Sequence, residues 1–543
     1  MGKLKKETFV QSILVLMLSQ VMIKLLGLAY KVYLTNKEGF GDIGNAIYNS
    51  GYQIYALLLA ISSIGVPNAI SKIVAERLAK GDKRGVKRIF KISLVFFALV
   101  GLAGSLILFF GANYISNVWL EIPEAELTLV ALSPSVFFVA IASVIRGYFN
   151  GHQRMSTTAN SQTLEQVAKT LITILIVEMI AIPTQNDVVL MAAGANLATT
   201  LSIFLSFAYL YRYYKLKRKE LAIDVQENYE EPSYAKKSSK EILKSVIQIS
   251  LPMTISSLVS SINRTIDSVT VVRGLKNFLS EEVAKFQFGI YTGKVDTLIG
   301  LPLSFNIAFA TVLVPSISKL LARNEKKDAA KLIKSSLLST ILIGLPCTFG
   351  MIVFAEQILG LLFPNASSGT LLLQITSITI IFMMMAQTVN GVLQGIGKYK
   401  VPATAVACGV VVKLILNLIL IPIPSIGING VAISSIVCHI ISFSIGFNVL
   451  KNTLNIKFSA RKFIVKPLLA TLAMCVCSYV LYVLLSAIIP WKIAAIIAII
   501  FAVIVYAFSV FKLRILSKEE IYRLPKGQLI YKVLVKMKLY EDD

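Results

Sequence analysis

Apolar and polar residues are segregated along this chain into long blocks, without the short amphipathic periods of a soluble helix or strand. Fourteen apolar segments run near 9–34, 45–68, 92–112, 126–148, 159–183, 188–211, 245–272, 286–314, 336–363, 369–393, 402–424, 428–450, 467–489 and 492–512. A helix rises about 1.5 Å per residue, so about 20 apolar residues cross the hydrocarbon of a bilayer. Each segment is therefore expected to be a transmembrane helix, numbered here spans 1–14, and the expected fold class is an all-α polytopic membrane protein.

The intervals between spans alternate in charge. The 72–91, 212–246, 319–334 and 451–466 intervals and the 512–543 tail carry most of the 54 Lys and Arg, whereas 113–125 holds Glu121 and Glu124 and no base. Basic loops stay on the cytoplasmic side, which places both termini there and requires an even number of spans. The net charge of +25 is then explained by topology and contact with anionic lipid, and nucleic acid is not an expected partner. A composition of 56% hydrophobic and 15% charged residues agrees with a bilayer protein. No cleavable signal is visible, because span 1 is too long and carries Lys24 in its middle, and Lys6 occupies the position where myristoylation needs Ser or Thr. The five cysteines all lie in apolar segments, and neither they nor His152 and His439 have metal-ligand spacing. Buried reduced thiols and no metal or other cofactor are expected.

The chain repeats itself. Arg146-Gly147-Tyr148-Phe149-Asn150-Gly151-His152-Gln153-Arg154 aligns with Asn390-Gly391-Val392-Leu393-Gln394-Gly395-Ile396-Gly397-Lys398, and the following spans carry Lys169 and Lys413 in register. Val66-Pro67 leading to Ser71-Lys72 is matched by Val314-Pro315 leading to Ser318-Lys319. A repeat of this period in a membrane protein means two homologous lobes, a recurrent transporter architecture. The expected organisation is an N-lobe over 1–211, a linker over 212–244, a C-lobe over 245–450, an extra pair of spans over 467–512 and an amphipathic cytoplasmic tail over 513–543 lying on the inner leaflet. Prolines in the spans, Pro67, Pro134, Pro252, Pro302, Pro315 and Pro346, read either as structural kinks or as gates along a cavity.

A charge at the centre of a span costs about 2.5–3.5 kcal/mol, so the charges there are the candidate functional residues. The bases are Lys24 and Lys31 in span 1, Lys169 in span 5, Arg264 in span 7, Lys294 in span 8 and Lys413 in span 11. The acids are Glu165 and Glu178 in span 5, Asp267 in span 7 and Asp296 in span 8. Glu165 with Lys169 and Arg264 with Asp267 stand at helical spacing and can pair locally. Lys24, Arg264 and Lys294 lie at similar depth, so facing lobes would bring them into one cationic cavity suited to a phosphate-bearing cargo; Lys31, near the outer end of span 1, either joins them or simply snorkels. Tyr48, Tyr52 and Gln53 of span 2, with Asn45, Asn49 and Tyr55, either hydrogen-bond and stack on sugars or anchor the membrane interface. Arg146 is a weaker candidate for greeting an incoming headgroup. No phosphate-loop pattern occurs, which argues against an ATP motor.

The Gly-x-x-x-Gly-x-x-Arg/Lys turns, Ser161-Gln162-x-x-Glu165-Gln166, Leu251-Pro252-x-x-Ile255 and Gln20-x-x-x-Lys24-Leu25-Leu26-Gly27 resemble the polysaccharide-exporter branch of the multidrug/oligosaccharidyl-lipid/polysaccharide superfamily, most of all its Gram-positive MurJ-like and stage V sporulation protein B group. The resemblance covers the whole chain. It implies a V-shaped pair of six-helix lobes that alternate in access, a monomer in the bacterial cytoplasmic membrane, and flipping of a lipid-linked oligosaccharide, lipid II first among them. It also implies a cationic central cavity and a lipid-tail groove formed by spans 13 and 14. This chain departs from the MurJ-type pattern of arginines in spans 1, 2 and 8: Lys24 and Lys294 stand in spans 1 and 8, and span 2 has no base. Near Lys413 and Asn417 the carboxylates of a relative's sodium site are missing, with Asp267 and Asn263 as the remnant, so coupling to Na⁺, H⁺ or membrane potential stays open. Two other classes fit these residues less well. A cation-drug antiporter needs a carboxylate-rich cavity, against six bases and four acids here, and a membrane glycosyltransferase needs catalytic acids on outer loops that are short in this chain.

Overall fold

In the computed structural model, which describes residues 9–63, 65–223, 238–398, 400–454, 458–522, 527–537 and 539–540, all fourteen apolar segments are helical. In order these helices are α1 Phe9–Asn36, α2 Gly41–Ser63, α3 Gly65–Ala79, α4 Lys83–Tyr114, α5 Glu126–Gly151, α6 Met155–Ala181, α7 Val188–Ile223 and α8 Ser239–Leu275. They continue as α9 Glu281–Gly289, α10 Asp296–Ala322, α11 Lys326–Val353, α12 Ala355–Leu362, α13 Thr370–Ser377, α14 Thr379–Gly395, α15 Lys400–Leu420 and α16 Asn429–Leu454. The chain closes with α17 Lys466–Ser486, α18 Trp491–Lys512, α19 Lys518–Tyr522 and α20 Gly527–Lys536. No strand occurs among the described residues. Among the described residues, ten helical stretches are long and apolar enough to cross a membrane. Most of the 212–244 linker, residues 224–237, also lies outside the described residues.

The segments are less uniform than their hydropathy. Span 9 divides at Phe354 into α11 and α12, and span 10 divides at Ile378 into α13 and α14. Span 8 contains a widened π-type turn, Ile290–Val295, between α9 and α10. Such turns insert a residue into the helical ladder and recur at functional sites. Pro134 and Pro346 lie inside α5 and α11 without ending them.

Burial is reversed relative to a soluble protein. Val476 of α17 and Val503 and Ile504 of α18 are 62%, 67% and 61% exposed, so the extra pair of helices presents apolar surface outward, as lipid contact requires.

The duplication is visible in hydrogen bonds. After α5 the amide of Gln153 donates to Asn150 O (3.0 Å) and that of Arg154 to Phe149 O (3.0 Å). After α14 the amide of Gly397 donates to Gln394 O (3.0 Å) and that of Lys398 to Leu393 O (2.9 Å). Both are helix-ending turns with a left-handed residue, Gln153 at φ 57° and Gly397 at φ 84°. The other repeated motif packs against the first. A Cβ on Gly151 would stand 2.7 Å from Val74 and 3.0 Å from Ser71 O, and one on Gly395 3.1 Å from Ile317 and Val314 O. Each small residue therefore seats its turn on the helix carrying the Val-Pro motif, which is why the two motifs recur together.

Close packing divides the chain into two compact units that do not follow the two repeats. One comprises residues 1–298 and 413–431, the other 299–412 and 432–543. The first is built on a core of α3, α4, α5, α7 and α8 around Ile70, Val74, Ile89, Phe149 and Leu210. The second has a core of α10, α11, α14 and α16 around Ile317, Leu337, Val389 and Leu393. In the second unit the tail folds onto the end of α18: Ile521, Tyr531 and Leu534 form a small core with Phe511 and Leu516. The expected amphipathic helix is thus half docked, while Leu529 and Val533 of α20 and Met537 just after it form an exposed apolar stripe four residues apart beside Lys532 and Lys536.

Candidate functional site

Four groups of contacts organise the candidate charges of the first unit. On α1 and α6, Lys31 and Lys169 are buried in a cage of tyrosines. Lys31 Nζ donates to Asn49 Oδ1 (2.5 Å) and lies 5.0 Å from the Tyr48 ring. Lys169 Nζ lies 4.5, 5.1 and 5.9 Å from the rings of Tyr52, Tyr30 and Tyr48. Tyr48, Tyr52 and Tyr55 share one face of α2 through their spacing of four and three, and Tyr48 stacks on Tyr52 with centroids 5.9 Å apart. Ammonium over a ring face is stabilised by the ring quadrupole, more so away from water. Tyr48 and Tyr55 are 1% and 2% exposed, so in this conformation both are closed to a sugar, and Tyr48 faces both lysines.

A second group joins α2 to the α9 region. Lys294, on the π turn, pairs with Asp42 at 2.9 Å, with side-chain exposures of 0% and 1%. Asn49 Nδ2 donates to Thr292 Oγ1 (3.4 Å) and Ser268 Oγ donates to Gln53 Oε1. The approach depends on two glycines four apart. A Cβ on Gly289 would stand 1.7 Å from Asp42 O, and one on Gly293 2.4 Å from the Asn45 side chain. At the same end, Arg273 pairs with Glu121 (2.7 Å) and Lys285 with Glu124 (2.6 Å). These five contacts tie α2 and the Glu121–Glu124 segment to α8 and the α9 region. In the loop there, burial opposes charging of Lys276, yet its contacts with Glu281 and Glu121 raise its pKa above the ordinary lysine value.

The third group is centred on Asp267 of α8. Its carboxylate accepts from Lys413 Nζ (2.7 Å), Asn417 Nδ2 (3.0 Å) and Tyr291 OH (3.0 Å), while Lys413 also donates to Asn263 O (3.1 Å). A buried carboxylate survives in such a place only when paired and fully hydrogen-bonded. In the fourth group, Arg146 of α5 binds Glu165 Oε2 (2.8 Å), Ser161 Oγ (3.1 Å) and Ser206 Oγ (3.0 Å), tying α5, α6 and α7.

Both local pairings read from helical spacing are replaced by pairings between helices. Glu165 goes to Arg146 and leaves Lys169 to the tyrosines, and Asp267 goes to Lys413 and leaves Arg264 without an ion pair among the described residues. A charge that must be neutralised inside the membrane is better satisfied by a partner reaching across from another helix than by a flexible neighbour on its own surface. Lys24, Arg264 and Asp296 are exposed. The expected trio Lys24, Arg264 and Lys294 is thus divided: two side chains are open and Lys294 is held by Asp42. Asp42 and Asn49 as lysine partners were missed, because 252 positions separate Asp42 from Lys294 and no spacing signals such a meeting. Among the described residues no cluster of His, Cys, Asp and Glu could hold a metal ion.

The sequence profile described as "Polysaccharide biosynthesis protein" matches residues 9–321, and the profile "MatE" matches residues 252–419. "Stage V sporulation protein B" of Bacillus subtilis (strain 168) is 25% identical over 535 residues, 97% of this chain and 99% of that protein. "Lipid II flippase MurJ" of the same strain is 26% identical over 465 residues, 83% of each chain. Among solved structures, "Lipid II flippase MurJ, inward closed conformation" has a TM-score of 0.67 at 15% identity, covering 96% of this chain and 100% of that one, a likeness of fold.

Proposed function

Since the chain belongs to the polysaccharide biosynthesis protein family, within the multidrug/oligosaccharidyl-lipid/polysaccharide superfamily of multi-pass membrane flippases, we propose that it carries undecaprenyl-pyrophosphate-linked sugar precursors, lipid II first among them, from the inner to the outer leaflet by alternating access. The observation that carries this reading is the division of the span cations. Lys24 and Arg264 are exposed and free of ion pairs among the described residues, whereas Lys31, Lys169, Lys294 and Lys413 are all engaged internally. Two open cations on membrane-spanning helices suit one pyrophosphate, because such charges persist only with an anionic partner or water.

In this cycle the Asp42–Lys294, Arg273–Glu121 and Lys285–Glu124 pairs hold the outer side shut while the headgroup enters from the cytoplasm, and the lipid tail stays in the bilayer beside α17 and α18. The pairs then part, and Lys294 joins the ligand set as the outer side opens. An inside-negative potential favours outward movement of anionic cargo by about 2.3 kcal/mol per charge per 100 mV. The protein works as a monomer, with no enzymatic step.

The test is outer-leaflet exposure of lipid II in cells whose own flippases are switched off and which express only this chain. Restored exposure supports the reading. No restoration by a well-inserted protein moves the cargo to another lipid-linked polysaccharide unit. The match of the MatE profile to 252–419 favours a multidrug antiporter as second reading, and drug efflux in the same cells decides for or against it.

A further inference from the structure

The second unit contains a cleft of about 310 Å³ outside every group described above. Its walls are α11, the π turn Arg461–Val465 that leads into α17, and the start of α19 in the tail. Two ties fix these walls. Lys466 Nζ donates to Leu513 O (2.7 Å), joining the start of α17 to the end of α18. Glu520 binds Lys462 through both oxygens (2.8 and 3.0 Å) and accepts from the Ser517 amide (2.7 Å), fastening α19 to the π turn.

Those ties also settle the charge inside. Lys462 and Glu520 neutralise each other, which leaves Lys331 and Lys334 of α11 facing the cleft against Glu519 alone. The two lysines are three apart, so they lie on one helix face and repel each other until an anion lies between them. Neither has an ion pair among the described residues. Ser335, next to Lys334, and Ser459, on the opposite wall, add hydroxyl donors, and Phe463 supplies an apolar wall. Paired ammonium groups with hydroxyls are the donor set of a phosphate site. The volume falls at the lower end of the range for small-ligand sites. The cleft lies at the helix ends rich in Lys and Arg, where apolar spans give way to polar chain and where phosphates of a bilayer lie.

We propose that this cleft binds a phosphate-bearing group, gripped by Lys331 and Lys334 and hydrogen-bonded by Ser335 and Ser459. The group is either the headgroup of an anionic phospholipid or a soluble phosphorylated compound. Because α19 forms one wall, occupancy strengthens docking of the tail. The site is separate from the span cations, so it stands whether or not the cargo is lipid II.

The experiment uses the purified full-length chain, its K331Q/K334Q variant, and K326Q/K327Q as a control at the first turn of α11. Native mass spectrometry compares retention of phosphatidylglycerol with phosphatidylcholine, and calorimetry in phosphatidylcholine nanodiscs titrates inorganic pyrophosphate. Preferential retention of phosphatidylglycerol, cut at least five-fold by K331Q/K334Q and untouched by the control, identifies a lipid headgroup. Pyrophosphate binding lost in the same variant identifies a soluble source. If the double variant is polydisperse, S459D, which places a carboxylate in the cleft from an exposed loop position, replaces it. Equal binding of both probes by wild type and variant, or no binding of either by wild type, overturns the proposal.

Discussion

Lys294, on the π turn between α9 and α10, and Asp42, at the first turn of α2, meet at 2.9 Å with essentially no solvent on either side chain. Removing one member of a buried pair leaves the other charge in a medium that cannot solvate it, at a cost of about 3–5 kcal/mol. K294A is therefore expected to lower the unfolding temperature in detergent, and D42N/K294Q to recover most of the loss. Equal melting of wild type and K294A would contradict the pairing.

The same argument applies to Asp267 and Lys413, which are 146 positions apart and 2.7 Å from each other. K413M strands a buried carboxylate, with an expected loss of about 3–5 kcal/mol. D267N/K413M should melt above K413M, because the neutral amide leaves no stranded charge and its one oxygen still accepts from Asn417, while its NH2 can donate to the Tyr291 hydroxyl. Scanning fluorimetry of the two variants side by side decides it.

Gly289 permits the approach of α9 to α2, since a Cβ there would come within 1.7 Å of Asp42 O. G289A must push the two helices apart. G289A is therefore expected to melt well below wild type in detergent, and G289S no better. Melting of G289A equal to wild type would show that the glycine is dispensable.

K24A is expected to abolish lipid II exposure in the flippase-depleted cells, while insertion and melting stay as in wild type because Lys24 is exposed. R264A should reduce exposure strongly and leave folding intact. Full transport by K24A would remove the cationic side chains from the mechanism.

Tail docking carries a pH dependence. Burial pushes the Glu520 carboxyl up, but its bonds to Lys462 and to the Ser517 amide outweigh burial and hold it below the ordinary value of 4.5. A depressed carboxyl stabilises the docked tail fully above the ordinary value and loses that contribution as pH falls through the docked value. Protection from hydrogen exchange over 517–522 and 527–537 should therefore hold above about pH 5 and fall on further acidification. E520Q should exchange faster at neutral pH and show no such transition.

The spans were legible because a run of about 20 apolar residues has few other uses. The duplication was legible because its turns need a small residue at Gly151 and Gly395 and one left-handed residue, and those demands survive divergence. The breaks at Phe354 and Ile378 fall on apolar residues inside apolar runs, so hydropathy does not mark them. Partners were the hardest part. Helical spacing joined Glu165 to Lys169 and Arg264 to Asp267, but each acid instead found a base on another helix, and only the fold brings Arg146 and Lys413 there. The polar-aromatic face of α2 was also legible as a unit, whereas its occupation by Lys31 and Lys169 was not.

The chain has two tryptophans, and the fold gives them different neighbourhoods. Trp119 ends the π turn Ile115–Trp119, next to Val118, whose carbonyl accepts from Arg273 (2.7 Å). Trp491 begins α18, against Gly360 of α12. With W491F the molecule keeps one tryptophan, whose indole adjoins the Arg273 contact, so under excitation selective for tryptophan the release of that contact can be followed as a colour change in real time, without attaching any dye.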